Sequence, residues 1–115
     1  MIFTYKSNSK DTVNVYSLRG ELISKDQAAP LLEEVDTAIS KNSTKILLNL
    51  SDLKYMNSSG LNVIINILTR ARKAGGDLAI CCVNKKINEL LVITKLNSVF
   101  NVCDDEEKAV KLLSQ

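Results

Sequence analysis

The residues of this chain best placed to do chemistry lie in the passage Tyr55-Met56-Asn57-Ser58-Ser59-Gly60-Leu61-Asn62, where an apolar segment passes into an amphipathic one through two serines and a glycine. The first backbone N–H groups of a helix lack intrahelical acceptors and carry the positive end of the helix dipole. They welcome a serine oxygen acting as a cap, or a phosphate attached to that oxygen. A modifiable serine at such a junction is a candidate switch. Hydrolysis fits poorly, because a serine nucleophile needs a neighbouring base, most often histidine, and the chain contains none. Neither Gly-x-Ser-x-Gly nor Ser-x-x-Lys occurs at Ser58. The expectation is a non-enzyme without catalytic residues.

Other groups are less promising. Gly75-Gly76 belongs to neither the P-loop nor the Gly-x-Gly-x-x-Gly pattern and reads as the end of a helix. Cys81, Cys82 and Cys103 are odd in number and lack the spaced pairs of a zinc site; Cys81 and Cys82 fall in an apolar run and read as buried structural thiols. The acidic run Asp104-Asp105-Glu106-Glu107 reads as the first turn of a helix rather than a metal site. No metal and no cofactor is expected.

With 115 residues, 45% of them hydrophobic, the chain suits one compact domain over residues 1–115. Fifteen Lys+Arg against thirteen Asp+Glu give a net charge of +2 with both signs scattered, and the few aromatic residues (Phe3, Tyr5, Tyr16, Tyr55 and Phe100) are dispersed. Neither a basic patch nor a stacking platform is present, so nucleic acid is not an expected partner. No apolar stretch approaches the ~20 residues of a membrane helix, and the N-terminus does not read as a leader, so no membrane insertion and a cytoplasmic location are expected.

The elements that must position Ser58 follow from periodicity. Ile2–Lys6 and Thr12–Arg19 read as a hairpin across the polar stretch Ser7–Asp11. Ser24 and Gln27 have the form of a capping box, but Pro30 argues for a late or irregular start near Asp26 to a helix ending at about Lys41. Lys45–Leu50 is a nearly continuous apolar run, as expected of a central strand, with Ser51–Met56 as the connecting segment to a helix whose face is Leu61, Ile64, Ile65, Leu68 and Ala71. Asp77–Val83 reads as a second buried strand and Lys85–Leu96 as a third helix with Ile87, Leu90, Leu91 and Thr94 inward. Val99–Val102 reads as a short strand before a last helix carrying Ala109, Val110, Leu112 and Leu113. The order β-β-α-β-α-β-α-β-α implies an α/β fold, a mixed sheet of four to five strands with helices packed against it.

These separated features together resemble the STAS domains, the bacterial anti-sigma factor antagonists. The resemblance is carried by Leu48-Asn49-Leu50, Asp52-Leu53 and Tyr55-Met56-Asn57-Ser58-Ser59-Gly60-Leu61, with Gly20-Glu21-Leu22 and Gly75-Gly76-Asp77-Leu78 at the family's spacings. It implies a STAS-like fold and a partner-switching regulator. In that family the unmodified protein binds an anti-sigma factor that is also a serine kinase of the GHKL ATPase type, which frees the sigma factor. The kinase phosphorylates the first serine of Ser-Ser-Gly and a PP2C-type phosphatase reverses it. Ser58 is the implied phosphoacceptor. Ser59 is a neighbour that caps the helix or contacts the partner, and Gly60 permits close backbone approach. Asn57 departs from the family's usual aspartate but keeps one carbonyl acceptor and can serve as a cap. Tyr55 and Met56 are the natural apolar anchors of the contact patch, unless one or both pack inward. A phosphate on Ser58 is expected to be received by the N–H groups of Gly60 and Leu61. The alternative is a non-catalytic STAS subunit of a sensory scaffold or transporter-associated complex, in which Ser58 is only a helix cap.

Overall fold

The computed structural model describes residues 2–114, so Met1 and Gln115, the ends of the expected domain, lie outside the described residues. Five strands form one sheet in the order β1-β2-β3-β4-β5: Phe3–Lys10, Val13–Leu22, Lys45–Met56, Asp77–Cys81 and Asn101–Cys103. β1 and β2 are antiparallel and every later pairing is parallel. The helices are α1 (Ala29–Ser40), α2 (Ser58–Lys73), α3 (Lys85–Ile93) and α4 (Glu106–Leu113), with 3-10 turns at Asp26–Ala28 and Leu96–Ser98. The element order and the mixed sheet are those expected from the sequence.

β3 is central and both its faces are covered, which is why it is so apolar. Ile46, Leu48 and Leu50 enter the larger core, closed by the apolar faces of α1, α2 and α3. Leu47 turns the other way and meets Val13, Val15, Ala79, Cys81 and the Ala109, Val110 and Leu113 face of α4. Alternation along a strand thus distributes one apolar run between two cores. In β2 the same alternation sends Val13 and Val15 to the α4 side, and Tyr16 and Leu18 to the larger core.

Several boundaries differ from expectation for local reasons. The hairpin turn is Asp11-Thr12, and the polar stretch through Lys10 is an exposed edge strand whose serines, asparagine and lysines suit a solvated border. Gln27 completes half of the capping box: its Oε1 accepts from the N–H of Ile23 at 2.8 Å and of Ser24 at 3.1 Å, while the Ser24 side chain caps nothing. The start is irregular, a 3-10 turn from Asp26, and Pro30 sits in the first turn of α1 where its missing N–H is harmless. The segment Ser51–Met56 is not a connection but the continuation of β3, paired through two irregularities with Arg19–Leu22. α3 ends at Ile93, with Thr94 as an exposed C-cap rather than an inward residue, and β4 ends at Cys81 because Cys82 is left-handed. Cys82 and Cys103 are only half-buried, unlike Cys81, which corrects the reading of Cys82 as a buried thiol. Leu112 is exposed. Among the described residues no helix is long and apolar enough to cross a membrane.

α4 is tied to the sheet by Glu106. Its carboxylate pairs with Lys10 at the end of β1 and accepts from Asn49 Nδ2 at 3.1 Å on β3. The hydrogen bonds from Lys10 and Asn49 hold the Glu106 carboxyl below its usual range. A depressed carboxylate stabilises the fold fully above its ordinary value of ~4.3 and loses that contribution as pH falls through the lower folded value. Glu106→Gln is therefore expected to lower the urea midpoint at pH ~6 and to lose less stability than wild type between pH ~5 and ~3. Parallel acid dependence in the two proteins would exclude Glu106 as a source of acid sensitivity.

Candidate functional site

The junction between β3 and α2 is built against the end of β2. Gly60, in the first turn of α2, is buried against the Leu22 carbonyl so closely that an added Cβ would lie 2.2 Å from that oxygen. No other residue type permits this approach without displacing one of the two backbones. Asn57 supplies the rest of the attachment. Its extended backbone and side-chain carbonyl make it the N-cap, accepting from Gly60 N–H at 2.9 Å, while its Nδ2 donates to the Ile23 carbonyl at 3.2 Å. Ile23 is itself held by Gln27, whose Nε2 also reaches the Glu21 carbonyl at 3.2 Å. A continuous polar clasp therefore runs from the 3-10 turn before α1 through the end of β2 to the start of α2.

This arrangement assigns different work to each residue expected at the site. Ser58 and Ser59 are the first two residues of α2, both exposed, and among the described residues the Ser58 hydroxyl has no hydrogen-bond partner. The cap is Asn57, so the expectation that Ser58 or Ser59 caps the helix is corrected. The N–H groups expected to receive a phosphate are also corrected: Gly60 donates to Asn57 Oδ1, and Leu61 donates to the Asn57 carbonyl at 2.9 Å. The N–H groups of Ser58 and Ser59 have no acceptor among the described residues. Those are the donors at the positive end of the α2 dipole that remain available to an anion.

Tyr55 is 43% exposed, whereas Met56 is 3% exposed and packs into the larger core. Met56 as an anchor is thus corrected, because the irregular pairing of β3 with β2 turns it inward three residues after Leu53. Gly60 is corrected likewise: the close approach it allows is internal, to Leu22, not to a partner. Asp52, in the same motif, is exposed on β3 opposite Arg19 and borders a different groove with Thr4 and Lys54, so it is not brought to Ser58.

Tyr55, Met56, Asn57 and Ser58 line one side of a groove of about 380 Å³ whose other side is α3, through Lys86, Leu90 and Ile93. Val92 and Ile93 are exposed, Ile93 at 78%, and extend the apolar border. These α3 residues were not among those expected at the site. A signal was available in the sequence: with Ile87, Leu90 and Leu91 facing the core, Val92 and Ile93 fall on the outer face of the helix, where an apolar pair has no packing role.

A family model described as STAS domain matches residues 5–109. The anti-sigma F factor antagonist of Paenibacillus polymyxa is 33% identical over 78 residues, covering 67% of this chain and 67% of that relative. The NMR structure of the protein TM1081 superposes with a TM-score of 0.83 at 27% identity, over 97% of this chain and 90% of the other. SpoIIAA in its unphosphorylated form shares the fold with a TM-score of 0.75 at 18% identity, over 96% and 98% of the two chains. In its phosphorylated form it does so with a TM-score of 0.73 at 19% identity, over 94% and 97%.

The clasp makes three substitutions informative. Asn57→Ala removes the cap and is expected to lower stability by about 1 kcal/mol. Asn57→Asp keeps the cap oxygen and adds a favourable charge of about 0.3–1 kcal/mol, but turns a carboxylate oxygen towards the Ile23 carbonyl. It is expected to be less stable than wild type in urea denaturation at neutral pH; a gain in stability would mean that the Nδ2 contact contributes nothing. Gly60→Ala is expected to lose about 1–3 kcal/mol through overpacking against Leu22, read as a lower urea midpoint with an unchanged slope.

Proposed function

The chain belongs to the STAS family, and from that premise we propose that it is an anti-sigma factor antagonist switched by phosphorylation of Ser58. One domain carries the function. Unmodified, it binds an anti-sigma factor that is also a serine kinase of the GHKL ATPase type and so frees a sigma factor; a PP2C-type phosphatase restores this form after phosphorylation. It acts in the cytoplasm by binding, without turnover of its own. The observation that supports this reading most directly is the exposed Ser58 hydroxyl, relieved of capping by Asn57 and bordering the groove between Tyr55 and Ile93.

The physical consequence of modification follows from that position. A phosphate adds about −1.5 to −2 charges and meets the free N–H groups of Ser58 and Ser59, so the helix start is not opposed to it. The penalty falls on association: the dianion borders an apolar groove that a partner must cover, and leaving such a charge buried and mispaired costs about 2–5 kcal/mol. That is a loss of affinity of tens to thousands of fold. Tyr55, Asn57 and Ser59 are the junction residues proposed to meet the partner, joined by Lys86, Leu90 and Ile93 of α3.

With labelled ATP and the GHKL-type kinase of the same genome, wild type and Ser59→Ala are expected to take up phosphate and Ser58→Ala none. Equal labelling of wild type and Ser58→Ala would remove Ser58 as the acceptor. Ser58→Glu is expected to weaken kinase binding by at least tens of fold in calorimetry while leaving the urea midpoint near that of wild type.

A further inference from the structure

We propose that Cys81 and Cys82 form a thiol redox pair, a modification site at the end of β4 in which hydrogen peroxide closes a disulfide between the two neighbouring sulfurs. Successive side chains of an extended strand point to opposite faces, which keeps adjacent cysteines apart. Here Cys82 has a φ of 64°, and both cysteines join the small core under α4. The Cys82 thiol donates to Cys81 Sγ at 3.2 Å. A left-handed residue other than glycine is uncommon, and such outliers gather at functional positions. Cys103, the register partner of Cys81 on β5, borders the same core, and all three thiols are free. Among the described residues no group of three His, Cys, Asp or Glu side chains is arranged to hold a metal ion, so the proximity of the sulfurs points to thiol chemistry.

Exposure divides the roles. Cys81 is buried, and burial pushes its thiol far up, keeping it protonated. Cys82 is half-buried and lines a surface hollow with Asn84 and Asn88, within reach of a small oxidant. The Cys82 thiolate attacks one peroxide oxygen and the O–O bond breaks, giving a Cys82 sulfenic acid and hydroxide. The Cys81 sulfur then attacks the Cys82 sulfur; the S–O bond breaks, and the departing hydroxyl leaves as water with the Cys81 proton. In sum two thiols are oxidised and one peroxide is reduced to two waters. Adjacent Cα atoms are ~3.8 Å apart, less than the ~4.4–6.8 Å usual for a disulfide, so the bond is strained and readily reduced, as regulatory disulfides are.

The pair also lies beside the mounting of α3. Two residues beyond Cys82, Asn84 caps α3 by accepting from Ile87 N–H at 2.9 Å, and its Nδ2 donates to the Leu53 and Lys54 carbonyls at 3.0 and 3.3 Å. Closing the ring at Cys82 resets the backbone that carries this anchor and loosens the start of α3.

The test treats the full chain with hydrogen peroxide, alkylates the remaining thiols and digests with trypsin, which releases Cys81 and Cys82 together in Ala74–Lys85 and Cys103 in Leu96–Lys108. The expected result is Ala74–Lys85 lighter by two hydrogens and unalkylated, restored by dithiothreitol, with Cys103 alkylated. Cys103→Ser is expected to retain this product and Cys82→Ser to abolish it. The proposal fails if Cys81 and Cys82 remain alkylated after peroxide, if the bridge joins the two peptides, or if Cys82 proceeds to a sulfinic acid with no disulfide. Faster amide exchange over Lys85–Ile93 in the oxidised form, by several fold, is the expected sign of coupling to α3; unchanged exchange would overturn the coupling.

Discussion

The contact on which the rest of the site depends is the seating of the α2 N-terminus on the last residues of β2. It has a steric half, the missing side chain of Gly60 against the Leu22 carbonyl, and a polar half, Asn57 bridging Gly60 N–H and the Ile23 carbonyl. Neither half suffices alone. A close approach without the polar bridge leaves the Gly60 N–H without its acceptor, and a bridge without the close approach cannot form, because the Asn57 side chain is too short to span a wider gap. Together they determine where α2 begins and therefore that Ser58 lies at the rim rather than under it.

That seating in turn needs β2 to be held from the opposite side. Gln27 does this with three hydrogen bonds to the backbone of Glu21, Ile23 and Ser24, which accounts for the irregular beginning of α1: the chain makes a 3-10 turn in order to place an amide where the end of β2 requires one. The two irregularities in the pairing of β2 with β3 occur in the same region. They let β3 run on to Met56 with its buried residues three apart, so that Leu53 and Met56 both turn inward while Tyr55 is presented to solvent. The regular parts of the sheet carry stability through two apolar cores; the irregular ends carry the geometry of the site.

This division explains what was legible in the sequence. Periodicity marked the central strand at Lys45–Leu50 and the inward face of α2, because burial on a regular element leaves a repeating imprint. The start of α2 at Ser58 was legible because serines and a glycine between two apolar segments mark a helix start, but which residue caps it was not. Asn57 was read as a departure from the family's aspartate, and only the tertiary contact with Ile23 reveals why an amide, with one acceptor and one donor, suits this position. The inward turn of Met56 and the continuation of β3 were hidden because bulged pairing breaks the two-residue repeat. The left-handed backbone of Cys82 has no signature in composition, and it is what brings two adjacent sulfurs to one face.

Capping by Asn57 separates the proposed switch from the stability of α2. If the acceptor serine were itself the cap, adding a phosphate would exchange a helix-stabilising hydrogen bond for a bulkier group, and modification would be coupled to fraying of α2. Because Asn57 satisfies Gly60 N–H independently, the Ser58 oxygen enters no hydrogen bond among the described residues. The free energy of the added charge then acts almost wholly on what approaches the groove. A domain held together by roughly 5–15 kcal/mol can in this way change an interface by several kcal/mol without endangering its own stability, provided that the switching atom and the structural atom belong to neighbouring residues rather than to the same one.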